Sequence, residues 1–83
     1  MMNPEMRAIS EIAYRSWNEG KCIKVSDLRA MLNRAGLKPG AGRGLFTQIR
    51  CAYNRAVEEG NQGIADCIAC CYLKDDGTYA YRR

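Results

Sequence analysis

Residues 43–59, RGLFTQIRCAYNRAVEE, constrain the fold more than any other stretch of the chain. At about 100° per residue, Leu45, Phe46, Ile49, Ala52, Tyr53, Ala56 and Val57 fill one arc of a helix. Arg43, Thr47, Arg50 and Asn54 cluster on the other side, and Gln48, Cys51, Arg55 and Glu58 complete the polar arc. Gly60 supplies the stop. A helix divided in this way needs other elements to cover its apolar face. With 83 residues in all, the chain has room for one small domain, residues 1–83, built around that face.

The partners of this helix are legible on both sides of it. Asn3 before Pro4 reads as an N-cap with proline at the first helical position, and Glu5 suits the positive end of the helix dipole. Met6, Ile9, Ile12, Ala13 and Trp17 then share one face, so a helix is expected over residues 4–19, ending at Gly20 with Trp17 in the core. Ile23 and Val25 alternate with Lys24, as in a short strand or extended link. Ser26 is the expected cap of a second helix, whose buried stripe is Leu28, Met31, Leu32 and Ala35. Gly36 ends that helix, with Leu37 packing back against it. Lys38, Pro39, Gly40, Ala41 and Gly42 compose a turn.

After Gly60 the pattern divides. Ile64, Ala65, Ile68, Ala69, Tyr72 and Leu73 recur in pairs every four residues, which favours a fourth helix over residues 62–71 capped by Asn61. The run from Cys67 to Leu73 also suits a buried strand. Residues 72–81 read as a hairpin turning at Asp75-Asp76-Gly77, with Asp-Gly supplying positive backbone angles in a tight turn. The expected fold is α+β and mainly α: three to four short helices with a C-terminal β-hairpin.

Composition narrows the chemistry. No apolar run approaches the ~20 residues of a membrane helix, and the first five residues lack a signal-peptide layout. A cytoplasmic location is the expectation. Five cysteines, an odd number with Cys67, Cys70 and Cys71 crowded together, suit free thiols better than a disulfide framework. Cys67, Cys70 and Cys71 resemble half of a zinc site, but a closed site needs four ligands, and thiols packing a helix interface are the simpler reading. The chain has no histidine, so it lacks the commonest general base and the commonest zinc-binding nitrogen. The sequence points away from an enzyme and calls for no metal or cofactor.

The charge, +4 overall, is unevenly placed. Between Gly20 and Arg55, the eight cations Lys21, Lys24, Arg29, Arg34, Lys38, Arg43, Arg50 and Arg55 face Asp27 alone, a net +7. The remainder holds five basic and eight acidic residues, a net −3. A basic middle between acidic flanks suits a polyanionic partner, although a solvated charged surface has the same composition.

The order of helix, short strand, helix, turn, helix and terminal hairpin resembles a winged-helix domain. That resemblance implies a DNA-binding regulator whose third helix enters the major groove and whose hairpin touches the backbone. On this chain the helix would present Arg43, Thr47, Gln48, Arg50 and Asn54 to bases. Arg reads guanine and Asn reads adenine through paired hydrogen bonds. Lys38, Arg43 and Lys74 would meet phosphates. The link from Gly36 to Gly42 is longer than the usual helix-turn-helix connection, and the fourth helix is an addition. The spacing Gly42-x-Gly44-x-Phe46, with Ala52-Tyr53, Ile64-Ala65 and Gly77-x-Tyr79-Ala80-Tyr81, is similar to small proteins of bacterial prophages. The alternative expectation is a protein-interaction module, such as a phage-encoded inhibitor or adaptor, that uses the basic face or Tyr79 and Tyr81 and binds no nucleic acid. A homodimer through the face of the third helix is a further expectation.

Overall fold

A computed structural model describes residues 3–37 and 43–80. The element order is α1 (Pro4–Asn18), β1 (Ile23–Lys24), α2 (Val25–Arg34), α3 (Arg43–Glu58), α4 (Gln62–Cys71) and β2 (Tyr72–Leu73). The fold is therefore α+β and mainly α. Its ambiguous segment is a helix.

Local chemistry sets most of the boundaries. The Asn3 side chain accepts a 2.8 Å hydrogen bond from the Met6 amide and caps α1, whose first residue is Pro4. Asn61 accepts from the Ile64 amide at 3.2 Å and caps α4 in the same manner. The helices α1, α2 and α3 end on left-handed Gly20, Gly36 and Gly60. Behind each glycine the chain closes with a six-to-one hydrogen bond: Lys21 to Ser16, Leu37 to Leu32 and Asn61 to Ala56. Leu37 packs back on the core from that position.

The start of α2 differs from expectation. Ser26 is not its cap; the helix begins at Val25, and the cap position falls to Lys24, which makes no side-chain capping bond. The reason is the sheet. Lys24 is paired with Leu73, which holds it extended, and the buried Val25 follows at once as the first helical residue.

Three helices enclose the core. The closest approaches are α1 with α4, α3 with α4 and α1 with α3, while α2 lies nearer β1 and the side of α1. Met6, Ile9 and Ala13 of α1 meet Leu45, Ile49, Ala52, Tyr53 and Ala56 of α3 and Ala65, Ile68 and Ala69 of α4 in one buried cluster. Alanines at Ala13, Ala52, Ala56 and Ala65, all fully buried, let the helix backbones approach closely. From α2, Leu28 and Leu32 are buried, Met31 is half-buried and Ala35 is exposed at the end of the helix.

Two aromatic or branched side chains placed in the core by periodicity lie outside it. Trp17 is 51% exposed and Val57 43% exposed. Both sit in the last turn of their helices, where the neighbouring elements cover them only in part. Phe46, also assigned inward, is half-buried.

β1 and β2 pair in parallel, with Ile23 opposite Tyr72 and Lys24 opposite Leu73. The pairing is parallel because α2, α3 and α4 together form the crossover between the strands. A rudimentary hairpin follows β2: Leu73 bridges Tyr79 antiparallel, Lys74 donates to Thr78 O at 2.7 Å and Ala80 donates to Tyr72 O at 2.8 Å. The expected hairpin is present through Ala80, and Tyr81 lies outside the described residues. Its turn is the expected three-residue loop Asp75-Asp76-Gly77, but Gly77 alone has a positive φ, of 87°, and Asp76 does not. The Asp76 carboxylate accepts from the Thr78 amide and hydroxyl, which holds its pKa below the ordinary carboxylate value.

Candidate nucleic-acid interface

The outward side of α3 carries Thr47, Arg50 and Asn54, all exposed and spaced three and four residues apart. Gln48 is half-buried at the edge of that stripe. Arg55 is half-buried and its guanidinium pairs with Glu58 at 3.7 Å. Arg43 is the first residue of the helix, but its side chain lies outside the described part of the structure, as does Lys38. The first acid in α3 is Glu58, in its last turn. The helix dipole and the side chains therefore both favour an anion toward its N-terminal half.

Lys74, twenty-four residues before which the sequence has Arg50, is brought to the start of the same helix. Its ammonium lies 5.6 Å from the centre of the Phe46 ring, a cation–π distance. The chain achieves this because β2 is docked on β1, which directs the hairpin past the beginning of α2 toward α3. Phe46 and Lys74 share a concavity of about 220 Å³ with Ser26 and Arg29 of α2 and with Asp75. The surface thus joins parts of three elements: Arg29 from α2, Phe46 from α3 and Lys74 from the hairpin. Asp75 is the acid within it.

Arg29 and Phe46 were not among the sequence-derived site residues. Arg29 belonged to the basic span, but nothing local ties it to Lys74. Phe46 lies within the apolar arc of α3, so periodicity turns it inward. Only the tertiary placement of the hairpin reveals both.

The cations of the middle segment do not all open onto this surface. Lys21 pairs with Glu19 at 3.4 Å and lines a different cleft, beside Trp17 and Tyr79. The cysteines also separate by role. Cys67 and Cys71 are buried, and burial raises both thiol pKa values, that of Cys71 to about 11. Among the described residues, no group of three or more His, Cys, Asp or Glu side chains is arranged to hold a metal ion. Among the same residues, no helix is long and apolar enough to cross a membrane.

Comparison with known proteins gives no match: no family model, no curated protein and no solved structure.

Proposed function

We propose that this chain is a small DNA-binding domain, acting as a regulator, that grips the duplex through α3 and the hairpin. The observation that carries the proposal is the approach of Lys74 to Phe46 at the start of α3. It adds a cation from a distant part of the chain to a helix whose exposed stripe is Thr47, Arg50 and Asn54. In this reading Arg50 and Asn54 meet base edges, while Lys74 and Arg29 meet phosphates on either side. Lys38 and Arg43 belong to the same proposed set by their place in the sequence. A winged-helix mode of docking is consistent with the element order, with α4 as an insertion before the hairpin.

Fluorescence polarisation with a labelled random-sequence duplex tests this. Binding is expected in the micromolar range, as for non-specific contacts with the backbone. Arg50→Glu and Lys74→Glu should each weaken it at least tenfold while leaving the helical circular dichroism unchanged. Equal binding by the parent and both variants would overturn the proposal.

A second reading is favoured by a different observation. Tyr14 and Trp17, three residues apart on α1, are 52% and 51% exposed, and tyrosine and tryptophan are common anchors of protein interfaces. An adaptor or inhibitor would use that side of α1. Such a protein would recover a single stable partner in a pull-down that Tyr14→Ala and Trp17→Ala abolish, and would leave the duplex unbound.

A further inference from the structure

A second concave surface, larger than that beside Phe46, lies away from α3, where the end of α1, the link into β1, the end of α4 and the hairpin converge. It has a volume of about 420 Å³, within the range of small-molecule sites. Trp17 and Tyr79, both partly exposed, contribute aromatic surface, and Lys21 contributes the cation. Three cysteines line the same space: Cys22, Cys70 and Cys71.

These thiols are far apart in sequence and are gathered by the sheet. Ile23 pairs with Tyr72, so Cys22 is brought beside Cys71, with Cys70 one residue earlier at the end of α4. The Cys22 thiol is exposed and lies 3.9 Å from the carbonyl oxygen of Cys70. Cys70 is half-buried in the cleft. Cys71 is turned elsewhere: it is buried, and its thiol donates to the Ala13 carbonyl at 3.4 Å. The exposed thiol of the cleft is therefore Cys22, and with Cys71 turned away Cys70 is the other cysteine lining it.

We propose that this cleft is a thiol–disulfide exchange site, in which Cys22 attacks a small aromatic disulfide held beside Trp17 and Tyr79 and Cys70 resolves the adduct. In the first step the Cys22 thiolate bonds to one sulfur of the disulfide. The original sulfur–sulfur bond breaks, and the first small thiolate leaves and takes up a proton. In the second step the Cys70 thiolate attacks Cys22 Sγ and displaces the other small thiolate. Two electrons pass from the cysteine pair to the small disulfide, which departs as two thiols. The protein gains a bond between Cys22 and Cys70, tying β1 to the end of α4. The small disulfide is the oxidant, and the route through a mixed disulfide is the ordinary one for such exchange. The exchange is independent of any role for α3.

The test uses the full chain and the coloured aromatic disulfide dithiobis-nitrobenzoate, followed by acid quenching and non-reducing peptide mapping. The expected result is a fast release of colour, loss of the two thiol hydrogens from the intact mass and a Cys22–Cys70 linked peptide. Cys22→Ser should abolish the fast phase. Cys70→Ser should keep it and leave the adduct trapped on Cys22, whereas Cys71→Ser should still form the link. Trp17→Ala should slow the fast phase roughly tenfold, if stacking contributes as aromatic contacts usually do. Fast reaction at Cys51 alone would overturn the proposal. A stable adduct on Cys22 in the parent chain, or a link from Cys22 to Cys71 or Cys67, would overturn it as well.

Discussion

Tyr72 is where α1, α4 and the sheet meet. It is fully buried as the first residue of β2, pairs with Ile23, and donates its hydroxyl hydrogen to the carbonyl oxygen of Ile9 in α1. Burial pushes its phenol well above the ordinary pKa, so it stays protonated and able to donate. Tyr72→Phe keeps the ring and removes the bond. The Ile9 carbonyl remains in the α1 ladder, so the expected loss is that of one buried hydrogen bond, about 1 kcal/mol, read from the urea midpoint. The neighbouring Cys71 adds a pH effect. Burial first, then the nearby Cys67, Cys22 and Cys70, raises its thiol from 9.0 to about 11. Above the unfolded value the unfolded chain ionises while the folded one does not. Its contribution to stability is therefore complete below about pH 9 and falls as pH rises toward 11. Urea midpoints measured across that range should decline, and Cys71→Ala should flatten the decline. Residue-level reading from sequence succeeded for the inner faces of α1, α3 and α4. It failed for Trp17 and Val57, because angular position on a helix does not reveal whether a neighbour extends far enough to cover the last turn.

The elements were legible where their ends carry their own chemistry. Asn3 with Pro4, Asn61, and the glycines at 20, 36 and 60 act within a few residues of where they sit, so sequence spacing places both ends of α1, the ends of α2 and α3 and the start of α4. The sheet was legible only as extended segments. Its parallel pairing joins residues separated by three helices, and two-residue strands have too little pattern to announce a partner. That same pairing set the start of α2, which is why Ser26 misled, and it carries Lys74 to Phe46. The expectation of an exposed polar stripe on α3 was therefore available from sequence, while the contributions of Arg29 and Phe46 were not. Two glycines test the account of the helix ends. Gly60 has a φ of 76° with open space around it, so Gly60→Ala meets backbone strain and no clash. It should cost about 1 kcal/mol of unfolding free energy. Gly63 lies inside α4 with its nearest side-chain atom at 3.8 Å, so Gly63→Ala should raise stability by about 0.5 kcal/mol in the same urea assay.

At the scale of the molecule, the division between a basic middle and acidic flanks does not become one uniform face. The fold sends Lys21 to the cleft beside Trp17 and Arg29 to the concavity with Phe46 and Lys74. The proposed interface is thus built from a few cations held by three elements, which predicts a modest salt dependence instead of that of a long basic tract. Arg29, Arg50 and Lys74, together with Arg43 at the head of α3, would neutralise about three to four phosphates. The measurement that tests this most directly is duplex affinity by polarisation across a salt series. The logarithm of the binding constant should fall against the logarithm of salt with a slope of about −3, reduced by roughly one in Lys74→Ala. A slope near zero, or no binding at micromolar protein in low salt, would contradict the account.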